Sequence, residues 1–334
     1  GLEAVRKLAP HPERQSRIKA VDSLIAGERR VDYPFDAHKD LILPGDRPLF
    51  MVCISGGGAR AARFAAQVMA AVEEDYETRW PGEDKPVPML DCIDGFSTVS
   101  GGSIYAAQIA LDTDPKMAEA QTADLLTPKL MAGYTARLRS ALSGQSGFTV
   151  RSGLIEPGPT RDALYKVFGD QTFADTLIPL YIVCTDLYSG ERVVLHSGKL
   201  LDAILASIAI PMLYPPHQIG DRLLVDGAVS DPLPVDVAMR EGGEVIMAMG
   251  FEMPTRSRMR SYTTVASHFN SLYMNHILRA TFAFANLAHH GEVIPILPDF
   301  EGPTGTYSAG QIAHLIEAGA SATEEALPHI RQAV

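Results

Sequence analysis

Cysteine is scarce in this chain, and its few copies are poorly placed for metal binding or cross-linking. Cys53, Cys92 and Cys184 are the only three among 334 residues, and no CxxC pair occurs. That excludes a disulfide scaffold and argues against a zinc module. Each cysteine lies in an apolar stretch, so all three read as small core hydrophobes. Long apolar runs are also missing: none reaches the roughly 18 residues that a bilayer-spanning helix needs. Basic residues are outnumbered, 29 against 40 acids, giving a net charge of −11. A general nucleic-acid binder carries the opposite balance, so no nucleic-acid partner is expected. The local basic clusters, Arg256, Arg258 and Arg260 and then Lys129, Arg137 and Arg139, read as solvated faces. No set of His, Cys, Asp and Glu has metal-ligand spacing, so neither a metal nor another cofactor is expected. The chain opens at Gly1 without the basic and apolar segments of a secretory leader. With its reduced cysteines, it reads as a cytoplasmic protein.

What the chain has in quantity is apolar sequence, 46% of residues, which suffices for a large core. Residues 1–48 read as a partly helical N-terminal arm, closed by the breaker Pro44-Gly45. From residue 49 strand and helix signals alternate to the end at residue 334. The strand candidates are 49–55, 90–96, 180–185, 192–196, 223–225, 244–249 and 293–297. Several are unbroken apolar runs, as in strands covered on both faces. The helix candidates are 59–79, 102–111, 199–207, 262–289 and 308–334. Such alternation predicts an α/β domain of three layers, α/β/α, with a mostly parallel central sheet. The Gly-, Ser- and Pro-rich stretch 144–159 interrupts it and reads as a long loop. With the apolar residues before it, segment 126–165 is a candidate lid or membrane-contact flap.

Two segments share a layout of apolar run, glycine turn and helix-like stretch. In the second, Thr98-Val99-Ser100-Gly101-Gly102, a serine is wedged into a strand-to-helix turn. That is a nucleophile signal, although Thr98 stands where the usual G-x-S-x-G elbow has glycine. Ser97 falls on the strand and Ser103 inside the helix, so Ser100 alone stands at the tip. In the first, Gly56-Gly57-Gly58-Ala59-Arg60, bare backbone N–H groups converge at a helix start. They suit a developing oxyanion, with the Gly101 N–H as a further donor. Arg60 reads either as a substrate anchor or as a structural ion-pair partner. Gly56-x-Gly58-x-x-Ala61 also fits a dinucleotide fingerprint, which would make the protein an NAD-type oxidoreductase. The acidic residue that reading wants about 20 positions on, at the end of the next strand, is missing. A third element, Arg222-Leu-Leu-Val-Asp226-Gly227-Ala228, places a carboxylate at a strand end. Asp231, before Pro232, is a rival carboxylate that reads more readily as a turn or cap residue. A Ser-His-Asp triad needs a histidine, and none of His196, His217, His289 or His290 carries a local signature.

In this order the three elements resemble the patatin-like phospholipase family. Its G-G-G-x-R/K loop corresponds to Gly56, Gly57, Gly58 and Arg60. Its G-x-S-x-G serine corresponds to Ser100 with Gly102, and its D-G-G/A aspartate to Asp226-Gly227-Ala228. Ala206-Ser-Ile-Ala-Ile-Pro-Met-Leu-Tyr-Pro-Pro216 is similar to a fourth family block, with Met212 where many members carry glycine. The resemblance covers residues 49–250. It implies a Ser-Asp dyad of Ser100 and Asp226 that hydrolyses acyl esters of lipids through an acyl-serine. It also implies a phospholipid or other lipid-ester substrate, and peripheral contact with a membrane. A small-ester esterase or a thioesterase would use the same dyad. Head group, acyl position, chain length and oligomeric state stay open at this level.

Overall fold

The computed structural model describes residues 48–75, 77–78, 87–88, 92–125, 149, 151–250, 252–253, 262–288, 291–298, 321–326 and 328–330. The arm 1–47, most of the lid candidate and most of the 308–334 helix candidate lie outside them. The strands are β1 (Phe50–Ile54), β2 (Glu77–Thr78), β3 (Val87–Pro88), β4 (Gly95–Val99), β5 (Leu180–Asp186), β6 (Arg192–Leu195), β7 (His217–Ile219), β8 (Arg222–Asp226), β9 (Val245–Met249) and β10 (Glu292–Ile296). The helices are α1 (Ala59–Asp75), α2 (Gly101–Ala110), α3 (Pro115–Leu125), α4 (Pro157–Phe168), α5 (Leu200–Ser207), α6 (Val235–Arg240) and α7 (Tyr262–Ala288).

A mixed, mostly parallel sheet forms the middle layer. Strands β10, β9, β1, β4 and β5 are neighbours in that order and all parallel. Because successive side chains of a strand point to opposite faces, β1 feeds two cores. Phe50, Val52 and Ile54 pack with Phe64 of α1, Ile104 of α2, Leu164 of α4 and Ile204 of α5. Met51 and Cys53 pack with Val235 and Val237 of α6 and Leu278 of α7. Both faces are therefore covered, which is why β1, β5 and β9 read as unbroken apolar runs and why the fold is α/β/α. Each large side chain buried this fully contributes about 1.5–3 kcal/mol.

The register explains how distant segments meet. Ile182 and Val183 of β5 pair with Thr98 and Val99 of β4 on one edge, and with Leu195 and Val194 of β6 on the other. One residue on, Cys184 pairs with Val193 of β6 and with Asp226 of β8, which is antiparallel to β5. So β4 and β8 lie along the same edge of β5, approach from opposite directions, and stop beside adjacent residues. Their two carboxyl ends, Val99 and Asp226, face each other across that gap. Helix α2 leaves β4 there, and every one of its residues from Gly101 to Ala110 is buried. A helix without a polar face belongs in the interior.

Three expectations need correction. The strand expected at 90–96 is instead Gly95–Val99. Asp94 is tied to Phe50 twice, its N–H donating to the Phe50 carbonyl and its carboxylate accepting from the Phe50 N–H, both at 2.8 Å. That knot closes the entry, and sheet pairing starts only with Gly95 against Met51. The helix expected at 59–79 stops at Asp75, and Glu77–Thr78 forms a short strand with Val87–Pro88. Finally, the loop expected at 144–159 gives way to α4 from Pro157 onward. A proline in the first helical turn starts a helix as readily as it marks a loop.

Candidate active site

Ser100 sits at the sharp turn between β4 and α2 with φ 55° and ψ −127°, a left-handed-side conformation that a non-glycine residue adopts only under constraint. Two neighbours supply the constraint. The Ser100 N–H donates to Ser207 Oγ at 2.7 Å, and Ser207 in turn donates to the Val183 carbonyl at 2.7 Å. At the next position, a Cβ on Gly101 would lie 2.3 Å from the carbonyl oxygen of Gly58, so only glycine fits there. Thr98, the departure from the usual elbow, is fully buried. Its hydroxyl lies 3.1 Å from Ser103 Oγ and 3.2 Å from the Tyr181 carbonyl. It ties β4 to β5 and to α2 without crowding the turn. Ser97, on the strand, donates to the Pro234 carbonyl at 2.9 Å, and Ser103 is enclosed within α2.

The Ser100 hydroxyl donates to Asp226 Oδ2 at 2.7 Å, and both residues are 4% exposed. The partner of Ser100 is thus a carboxylate rather than an imidazole. Asp226 is fixed from behind: its N–H donates to the Ala209 carbonyl at 2.9 Å, and its Oδ1 accepts the Ala228 N–H at 2.9 Å. Burial pushes the Asp226 carboxyl up from the ordinary 3.8 to about 6. The hydrogen bonds from Ser100 and Ala228 oppose that rise without cancelling it. His217 is paired elsewhere, with Nε2 3.2 Å from Asp202, and His196 stacks obliquely near Tyr181. His289 and His290 lie outside the described residues.

The glycine loop lies over this pair. Gly58 has φ 64°, and its backbone rests on Gly101. The expectation that Gly56 donates to an oxyanion does not hold. Its N–H already donates to the Pro232 carbonyl at 3.2 Å, and Gly56 serves instead as the space-saving residue between Ser100 and Ala228. Gly57 and Gly58 follow it in the loop, and Gly101 follows Ser100 at the start of α2. The Arg60 guanidinium reaches Met253 Sδ at 3.7 Å.

Two groups that the sequence reading passed over hold this arrangement. One is Ser207, whose place on the last turn of α5 gives no local hint of its contact with the elbow. The other is the ion cluster around Asp231. Arg192 of β6 bonds Asp231 at 2.6 Å and reaches Asp236 of α6 at 2.7 Å. Asp231 is therefore a structural anchor rather than a rival base. It secures the segment whose Pro232 and Pro234 carbonyls receive Gly56 and Ser97. Arg192 and Asp231 are far apart in sequence and carry no motif.

Ser207→Ala leaves the buried Ser100 N–H without a partner. The expected result is a loss of about 1–3 kcal/mol in unfolding free energy, read by denaturant titration. It should also lower kcat, because the elbow loses the bond that holds its φ. An unchanged kcat would show that the elbow holds without Ser207. Among the described residues no cluster of His, Cys, Asp and Glu could hold a metal ion, and no helix is long and apolar enough to cross a membrane.

The chain is 28% identical over 137 residues to an uncharacterised NTE family protein of Mycobacterium tuberculosis, covering 41% of this chain and 37% of that one. It is 30% identical over 160 residues to a second such protein of the same organism, covering 46% of this chain and 24% of that one. The chain thus spans well under half the length of these relatives. Among solved structures, human GIVD cytosolic phospholipase A2 aligns with 96% of this chain and 62% of its own, at 13% identity and a TM-score of 0.46. The sequence profile of the patatin-like phospholipases matches residues 52–239, which contain the glycine loop, Ser100 and Asp226. The chain belongs to the patatin-like phospholipase family.

Proposed function

We propose that the protein is a serine hydrolase of lipid acyl esters, with Ser100 as nucleophile and Asp226 as its base. The observation that carries this reading is the 2.7 Å hydrogen bond from Ser100 Oγ to a buried carboxylate at a strained turn. Ser100 Oγ attacks the ester carbonyl carbon while its proton passes to Asp226. The oxyanion that forms is held by the N–H groups of Gly57, Gly58 and Gly101. Collapse breaks the ester C–O bond, and the departing alcohol takes the proton from Asp226. Water then attacks the acyl-Ser100 ester and gives a proton to Asp226; collapse breaks the Ser100 Oγ–acyl bond, Ser100 takes that proton back from Asp226, and the carboxylic acid leaves.

The elevated pKa suits this role. An ordinary aspartate near 3.8 is a weak base at neutral pH, whereas one near 6 is mostly ionised at pH 7 and accepts a proton more readily. The same value sets a testable pH dependence. Activity needs the ionised carboxylate, so kcat/KM should rise with pH along a single limb with an apparent pKa of about 6. A profile flat from pH 4.5 to 8 would remove Asp226 from the role. A limb that disappears in His217→Gln would assign the base to an imidazole instead.

Family membership supports a lipid ester as the substrate class. Small-ester or thioester hydrolysis on the same dyad is the second reading. It is favoured by the fact that nothing in the dyad itself selects an acyl chain. Within segment 126–165, Leu154, Ile155 and Leu164 are buried in the core, so the proposed lid or membrane-contact flap is confined to the residues before them. Protection of that segment from proteolysis by lipid vesicles is the expected result, and equal cleavage with and without vesicles would count against it.

A further inference from the structure

The fourth sequence block, residues 206–216, carries two apolar side chains whose exposure the fold does not explain. Its buried half serves the site. Ser207 holds the Ser100 N–H, and the Ala209 carbonyl holds the Asp226 N–H. The next residues turn outward: Ile210 is 41% exposed and Met212 is 74% exposed. Only the chain from Ala209 to Met212 separates them from the dyad, and each residue spans at most about 3.6 Å. Met212 also has φ 69°, a conformation that glycine takes freely and other side chains resist. Glycine there would relieve that resistance and hide an apolar surface from water. The chain has methionine instead.

The segment is anchored. The Leu154 and Ile155 N–H groups donate to the Met212 and Leu213 carbonyls at 3.1 and 2.7 Å, while the Leu213 and Tyr214 N–H groups both donate to the Ile210 carbonyl. Leu154 and Ile155 are themselves buried, so they fasten the segment to the core. Ile210 and Met212 are thus held outward by a fixed backbone. Strained backbone clusters at active sites and ligand clamps.

We infer that Ile210 and Met212 form an apolar lip that grips the acyl chain of the ester as its carbonyl reaches Ser100. The lip would select long acyl chains over short ones. The inference rests on the hydrolase reading above and extends it to chain-length selectivity. An acyl chain laid against these two side chains covers surface that is otherwise wet. Each methylene so buried raises kcat/KM by up to about fourfold. A methionine suits the task, because its flexible thioether follows a chain of any curvature.

The test compares p-nitrophenyl butyrate and p-nitrophenyl decanoate, both kept monomeric, with phosphatidylcholine vesicles as a third substrate. For Ile210→Ser and Met212→Ser the decanoate-to-butyrate ratio of kcat/KM should fall about tenfold below that of the unaltered protein. Met212→Gly, which removes the backbone resistance, should lower the ratio as well, and it guards against misfolding as the cause. An unchanged ratio in all three variants overturns the inference, whatever happens to the absolute rates. A loss confined to vesicles also overturns it, because the two residues would then touch a lipid surface rather than the bound chain. If the unaltered protein hydrolyses neither ester and no vesicle lipid, the hydrolase reading itself fails. That result is distinct from an active protein whose ratio is insensitive to the lip.

Discussion

Asp226→Asn is expected to lower kcat for ester hydrolysis by about 10³-fold while making the fold more stable above pH 7. The two effects share one cause. Asparagine keeps the shape and the Ala228 contact but takes no proton from Ser100, so the nucleophile loses its base. The carboxylate it replaces is buried, and burial lifts its pKa from 3.8 to about 6. A raised carboxyl pKa means that the folded state holds its proton more tightly than the unfolded chain does. The stability this contributes is fully present below about pH 3.8 and is lost as pH rises through about 6. Above that, the ionised side chain weighs on the fold by about 3 kcal/mol. Urea titration at pH 8 should therefore show Asp226→Asn more stable than the unaltered protein by up to that amount, with the difference vanishing near pH 4. A variant that is both inactive and less stable at pH 8 would assign Asp226 a structural role instead of a catalytic one.

Ser100→Ala is expected to lower kcat further, by about 10⁴–10⁶-fold, because no other side chain at the elbow can form the acyl intermediate. Ser97 is turned to the Pro234 carbonyl and Ser103 is enclosed in α2, so neither substitutes. The fold should survive, since the Ser207 bond is made to the backbone N–H and not to the side chain. Combining Ser100→Ala with Asp226→Asn should cost little more than Ser100→Ala alone, since groups that act as a unit are not additive. Kinetics on the single and double variants check this, and additive losses would mean that the two residues act in separate steps.

How far the sequence foretold this arrangement depends on the range of the cause. Strands β1, β5 and β9 were legible because burial on both faces writes an unbroken apolar run into five or seven residues. The glycine loop and the Asp226-Gly227-Ala228 turn were legible for a related reason: tight packing there forbids side chains, and the absence shows. Strand β4 was misplaced because Leu90, Cys92 and Ile93 look like strand residues. The pairing that excludes them depends on Asp94 meeting Phe50 across 44 residues. The prolines at 157 and 159 pointed to a loop by composition and started a helix by geometry. The contact between Ser100 and Asp226 was the least accessible to local reasoning. It arises because β4 and β8 stop head to head along one edge of β5, a fact about register rather than composition. Ser207 and Arg192 were missed for the same reason, since their partners lie 107 and 39 residues away. The release of Gly56 from the oxyanion role likewise depends on Pro232, far along the chain.

In the proposed mechanism a buried aspartate activates Ser100 directly. Labelling with a fluorophosphonate, followed by peptide mass mapping, tests it most directly, because the reagent reacts with a serine only when a base has activated it. Label is expected on Ser100, lost in Asp226→Asn and kept in His217→Gln. Label on another serine, or label on Ser100 that persists without the Asp226 carboxylate, would contradict it.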